Sequence, residues 1–335
     1  MYLNYYIYTL FMPVMIISNL LALSTSNWFS LWLLMELNLI SFIFMMMIDE
    51  HMKLNYLMIY FLLQSFCSML YLFSSLNLFY FSDFSLLMMV LSILVKMGMP
   101  PFFVWMYNLM MNLSWMFIYI LSSLQKIIPI IILNSIINMN NVFINNLLIM
   151  ILVFTMIWAS MYALNFNSLK ILMMMSSILN MSWLILLMFV NEILVINYKI
   201  IYFIIMMNLM IMFNMFNMKI ISDTYMLKML DNKMYFMMML SVLSMAGIPP
   251  FFGFILKWMS LKHMIMLPFN LMLVFIICSI ISVIFYMRII YSSMLMYYNT
   301  KKMHYKFINM KFNISYSMIY SNWIALTMLL LYLII

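Results

Sequence analysis

Four ionisable residues stand deep inside apolar runs of this sequence: Glu36, Lys96, Lys126 and Lys257. At 1.5 Å per residue, Glu36 lies roughly 12 Å into a helix that opens at Trp28. Lys96 follows Phe84 by twelve residues and Lys126 follows Ser114 by twelve, which puts both near the middle of a membrane crossing. Lys257 comes seven residues after Pro250. Each such charge costs about 2.5–3.5 kcal/mol against lipid, so four together would cost about 10–14 kcal/mol. They must face the protein interior, paired or hydrated. Burial disfavours an ammonium, and a nearby carboxylate favours it. A lysine under both influences loads a proton when the carboxylate is near and releases it when it is not. The chemistry this implies is proton transfer rather than the making of covalent bonds.

Polar groups accompany the charges. Gln125 flanks Lys126, and Pro129 frees the Gln125 carbonyl, because proline lacks an amide hydrogen and clashes four residues back. Ser122 and Ser123 lie one turn earlier. Gln64 and Ser65 mark another apolar run; Ser176, Ser177, Asn180 and Ser182 mark a third, and Ser241 and Ser244 a fourth. Such residues could hold a file of water molecules, or they could hold helices together.

One hexapeptide pattern occurs twice, as Gly98-Met99-Pro100-Pro101-Phe102-Phe103 and as Gly247-Ile248-Pro249-Pro250-Phe251-Phe252. The first should free the carbonyls of Lys96 and Met97, the second those of Met245 and Ala246. Freed carbonyls at membrane depth need protein or a water-filled cavity beside them. The two motifs are five crossings apart, so their helices run in opposite directions. A repeated broken helix in opposite orientations is the mark of inverted-repeat transporters, whose ion sites sit at the breaks.

The elements that carry these residues follow from composition. The 335 residues are 69% hydrophobic and 7% charged, whereas a soluble domain is about 25% charged. Lipid must be the outer solvent. Breaking the chain at polar and turn residues gives about eleven helical spans. They run Tyr5–Leu23, Trp28–Ile48, Asn55–Phe79, Phe84–Asn108, Ser114–Ile137, Leu147–Asn165, Ile171–Val190, Ile196–Met215, Tyr235–Lys262, Phe269–Tyr297 and Met318–Ile335. An all-α polytopic membrane protein is expected, as a single membrane domain over residues 1–335.

The lysines divide between the two faces. Lys53, Lys170, Lys219, Lys228, Lys233, Lys301, Lys302, Lys306 and Lys311 fall on the side of the N-terminus, called side one, and Lys199 and Lys262 on side two. The positive-inside rule puts side one in the cytoplasm or matrix, and eleven spans put Ile335 opposite. This asymmetry explains the net charge of +8 without a nucleic-acid partner, since no groove-sized basic patch with interleaved aromatics exists. Asp49, Glu50, His51 and Lys53 read as a loop, Asp83 and Glu192 as span ends, and Arg288 as a snorkelling side chain at side one. Cys67 and Cys278 lie in apolar runs and read as small core residues. His51, His263 and His304 lie in or near loops with no metal-ligand spacing. No glycine-rich loop for a phosphate or dinucleotide is present, so no cofactor and no redox step are expected in this chain.

The composition also carries a hint of source. There are 51 Met but 3 Gly, a usage that an AT-rich genome with an additional Met codon would produce, as in animal mitochondria.

An ordered set of segments resembles the antiporter-like membrane subunits of respiratory complex I, and among them the mitochondrial subunit-2 family. They are Trp32-Leu33-Leu34-Met35-Glu36-Leu37-Asn38, Val95-Lys96-Met97-Gly98-Met99-Pro100-Pro101-Phe102, Gln125-Lys126-Ile127-Ile128-Pro129, Leu169-Lys170-Ile171-Leu172, Ala246-Gly247-Ile248-Pro249-Pro250 with Gly253-Phe254 and Lys257-Trp258, and Phe285-Tyr286-Met287-Arg288. The resemblance implies two inverted five-helix units, about residues 1–165 and 166–298, plus a further helix at about 318–335. It implies that Glu36 and Lys96 form a coupling pair, that Lys126 is the central relay and that Lys257 connects to the exit. It also implies a mitochondrial inner membrane location, with the N-terminus in the matrix and the C-terminus in the intermembrane space. The partners would be other complex I subunits and membrane lipid, with flavin, iron–sulfur clusters and quinone handled by those other subunits. Relatives often carry His where this chain has Phe103 and Asn180, so the route from Lys126 to Lys257 is expected to depend more on water here. Two further functions fit the residues: a stand-alone cation/proton antiporter, and a structural membrane subunit whose charges hold helices together.

Overall fold

The computed structural model describes residues 2–295 apart from 50, 51, 79, 81, 226–231, 250 and 265–267. The expected last span Met318–Ile335 lies outside the described residues, as do Glu50, His51, Lys228, Pro250, Lys301, Lys302, His304, Lys306 and Lys311.

Long apolar runs fold as helices because lipid offers the backbone no partner, so each amide must bond within its own segment. The helices are α1 (Tyr2–Ser24), α2 (Trp28–Met46), α3 (Leu54–Leu76), α4 (Ser82–Met97), α5 (Val104–Asn112), α6 (Trp115–Ser123), α7 (Ile127–Ile137), α8 (Val142–Ala163), α9 (Leu169–Met188), α10 (Glu192–Met215), α11 (Asn232–Ala246), α12 (Phe252–His263) and α13 (Phe269–Leu295). Among the described residues, eight helical stretches are long and apolar enough to cross a membrane, with α6 and α7 counted as one stretch. The other two expected spans are each broken in two, α4 from α5 and α11 from α12.

The breaks sit where the repeated hexapeptide predicts them. Gly98 and Gly247 both take a left-handed backbone, φ +68° and +77°, which L side chains rarely adopt. Two of the predicted carbonyls are met by side chains from elsewhere: Gln64 donates to the Lys96 carbonyl at 3.3 Å and Lys257 to the Ala246 carbonyl at 2.7 Å. A third interruption separates α6 from α7, a 3-10 turn over Leu124–Lys126. The sequence shows its cause in Pro129 but leaves that span whole.

Polar contacts tie the loops into two faces. At side one, Asp49 accepts the Ser114 amide at 2.7 Å, and Lys170 donates to the carbonyls of Met111 and Leu113. There too Leu169 donates to the Lys219 carbonyl, and Arg288 binds the carbonyls of Ala163, Leu164 and Phe166 at the end of α8. Asp49 and Arg288 therefore terminate helices rather than lying idle in solvent or headgroups. At side two, Asn141 donates to Asp83, and Asn134 and Asn138 donate to Glu192.

The core is α9. Every residue of its membrane-length window is buried, and it packs against α5, α7, α8, α10 and α12. By contrast α1 is 22% buried over its window, so much of its apolar surface faces outward.

Candidate functional site

The site lies where the broken elements meet α9. Lys126 ends the 3-10 turn and is 3% exposed, and its Nζ lies 3.4 Å from the Ser177 hydroxyl on α9. The interruption gives that side chain its direction: a turn of 3-10 winds tighter than α-helix, and Pro129 offers no amide to close an α-turn on Gln125.

Beside it, the Gln125 side-chain amide donates to Asn38 Oδ1 at 3.1 Å and to the Asn38 carbonyl at 3.3 Å. Asn38 in turn donates to Asn19 on α1 at 3.4 Å. The 3-10 turn is thus fastened to α2, the helix that bears Glu36. No pattern in the chain predicts the contribution of Asn38 and Asn19, because the bond to Gln125 joins residues 87 apart.

Glu36 and Lys96 are close enough for their charges to interact. Oε1 of Glu36 is buried without a hydrogen-bond partner, and Lys96 Nζ lies 3.6 Å from the Met35 thioether. Lys96 and Lys126 line one cavity together with Asn38, Tyr60, Gln64 and Gln125. It has ≈ 30 Å³ open to water, and one water needs roughly 10–15 Å³ on that measure, so about two fit.

Lys257 sits on α12 against the second break. Its Nζ donates to the Ala246 carbonyl at 2.7 Å and lies 3.4 Å from the Ser282 hydroxyl. A smaller cavity, ≈ 10 Å³, touches Lys257, Ser176, Asn180, Ser282 and Tyr286. Asn180 accepts from the Tyr198 hydroxyl at 2.9 Å and donates to the Ser176 carbonyl at 2.9 Å. Ser176 and Tyr286 meet at this same cavity. Hydroxyls and one amide therefore occupy the interval between Lys126 and Lys257. Phe103 takes no part: its ring packs at a tilt against Trp158, centroids 4.0 Å apart, and lines neither cavity.

Most of the membrane serines donate their hydrogen to a carbonyl three or four residues back. Ser122, Ser123, Ser176, Ser177, Ser182, Ser241 and Ser244 all do so. Their oxygen lone pairs stay available as acceptors, which is how Ser177 receives Lys126.

Lys199 is expected three residues inside the span that opens at Ile196, at its side-two end, but α10 begins at Glu192 and places Lys199 seven residues into the helix. Its Nζ is buried with no hydrogen-bond partner. Among the described residues, no group of three or more His, Cys, Asp or Glu could hold a metal.

A family model described as the NADH:quinone oxidoreductase/Mrp antiporter transmembrane family matches residues 25–284. The chain belongs to that family. Its similarity extends to NADH-ubiquinone oxidoreductase chain 2 of Artemia franciscana, 34% identical over 282 residues, covering 83% of this chain and 87% of that one. Chain 2 of Anopheles gambiae is 30% identical over 303 residues, covering 86% of each. Among solved structures, a chain of respiratory complex I from Thermus thermophilus superposes with TM-score 0.78 at 14% identity, over 86% of this chain and 70% of that one. A chain of the Mrp complex from Dietzia superposes with TM-score 0.71 at 16% identity, over 82% and 58%. The antiporter-family fold is therefore shared well beyond recognisable sequence.

Proposed function

We propose that the chain is a proton-translocating membrane-arm subunit of NADH:ubiquinone oxidoreductase in the mitochondrial inner membrane. The observation that carries this reading is Lys126: a fully interior lysine on a helix interruption, hydrogen-bonded to the central helix and sharing a water-sized cavity with Lys96. In this reading Glu36 sets the charge state of Lys96, Lys96 exchanges protons with Lys126 through the cavity water, and Lys257 continues the path. The tyrosine, serine and Asn180 groups beside α9 serve as its intermediate acceptors. Electron transfer, flavin, iron–sulfur clusters and quinone belong to partner subunits, and this chain turns their signal into proton movement.

The finer architecture belongs to the same proposal: eleven spans in two inverted five-helix units, about residues 1–165 and 166–298, with one more helix near 318–335. The matched geometry at Gly98 and Gly247 supports the repeat. The start of α4 meets side two, where Asn141 donates to Asp83, and the start of α11 meets the side-one end of α13, where Tyr235 bonds Ser293, which supports opposite directions for the two broken helices. Side one would face the matrix, carrying the N-terminus, with the C-terminus in the intermembrane space.

The test is Lys126→Met in the assembled complex, with proton uptake and NADH oxidation measured together. The expected result is NADH oxidation with fewer protons moved per electron. An unchanged ratio would defeat the relay and favour a purely structural role for the buried charges.

A further inference from the structure

Lys199 has no place in that path, yet the fold aims it at Lys126. Residues 192, 199 and 203 are spaced seven and four apart, so they share one face of α10. Both ends of that face meet the α6–α7 unit. Glu192 accepts from Asn134 at 3.0 Å and from Asn138 at 2.8 Å, at the side-two end of α7. Phe203 packs on Tyr119 of α6, ring centroids 4.9 Å apart. Lys199 lies between these contacts and faces the junction of α6 and α7, where Lys126 sits.

From Asn138 back to Lys126 is twelve residues, about 18 Å, and from Glu192 to Lys199 is seven, about 10 Å, so Lys199 stands between the depth of Lys126 and the side-two surface. Its charge is felt together with that of Lys126. A buried ammonium without a partner is costly in a membrane helix and is retained chiefly for a task.

We propose that Lys199 is a second proton carrier that connects Lys126 to the side-two surface, with Glu192 at its mouth. This rests on the relay reading of Lys126. In the step, an N–H bond of the Lys126 ammonium breaks and one forms on the neutral Lys199 amine. The Lys199 ammonium then gives its proton to water at Glu192, which both side-chain amides hold in place as an exposed acceptor. Repulsion between the two ammoniums keeps them from being loaded together, so arrival of a proton at one drives departure from the other. The branch leaves the membrane on α10 and bypasses Lys257.

The experiment uses the assembled complex in sealed vesicles and compares Lys199→Met, Lys199→Arg and Lys126→Met for protons moved per electron. The proposal expects Lys199→Met to assemble and oxidise NADH while its ratio falls, though less than in Lys126→Met because the path through Lys257 remains, and Lys199→Arg to fall as well, since a guanidinium does not release its proton. A structural cation would instead be satisfied by Arg. A full ratio in Lys199→Met beside a reduced one in Lys126→Met overturns the branch and leaves the relay standing. A full ratio in both removes the relay itself. A high-resolution map of the unaltered complex gives an independent reading: ordered water joining Lys126, Lys199 and Glu192 is expected, and dry apolar packing between them overturns the branch.

Discussion

Gly247 shows how closely the second break is fitted to its lysine. A Cβ there would stand 2.8 Å from Cδ of Lys257 and 3.0 Å from its Nζ, and φ of +77° adds strain of roughly 1–2 kcal/mol for a side-chain-bearing residue. At Gly98 the corresponding Cβ would meet the Met106 thioether at 2.7 Å, the soft end of an adaptable side chain. The two glycines are therefore equivalent in backbone and different in consequence. Gly247→Ala is expected to push Lys257 from the Ala246 carbonyl and lower the protons moved per electron. Gly98→Ala is expected to lower only the amount of assembled complex, read on a native gel. Equal pumping in both variants would contradict the contact between Gly247 and Lys257. At this scale the sequence names Glu36, Lys96, Lys126 and Lys257 through depth alone, because a charge in an apolar run has one tolerable location. It does not name Asn38, Asn19 or Tyr198, whose partners lie far along the chain and whose residue types are ordinary in this composition.

Element boundaries decide what else was legible. The hexapeptide breaks are plain in the sequence, since glycine and proline leave few ways to continue a helix. The interruption at Lys126 is half-legible: Pro129 frees a carbonyl, but whether the turn tightens depends on Gln125 finding Asn38 across the α2 interface. Lys199 is read too shallow because hydropathy starts that span at Ile196, whereas the Asn191 side chain accepts the Ile193 amide and starts the helix four residues earlier. The resulting shift carries a charge at the span end one turn deeper, where its Nζ is buried. The role of Pro129 is open to a direct check. Pro129→Ala restores an amide for the Gln125 carbonyl and permits a continuous α6–α7 helix. Converting three residues from 3-10 to α-helix rotates α7 relative to α6 by about 60°, enough to separate Lys126 from Ser177. The expected outcome is an unbroken helix in the variant's structure together with a reduced proton ratio. A persistent 3-10 turn would show that packing, not Pro129, makes the break.

Over the whole molecule, the polar groups form one seam. It runs from Glu36 and Lys96 through the first cavity to Lys126, then along α9 by way of Ser176, Ser177 and Asn180 to Lys257, with the face of α10 leading off towards Glu192. The outer helices shield it, and buried α9 supplies acceptors along its length. Tightly packed apolar side chains could hold these helices together without any of the lysines, so the seam has to be explained by what it carries. The central claim is that this interior is wet where the lysines meet. A map of the assembled complex, at a resolution that places water, measures this most directly. Ordered water between Lys96 and Lys126, in contact with Gln64 or Gln125, is the predicted result. A dry cavity, or acyl chains against either ammonium, would contradict it.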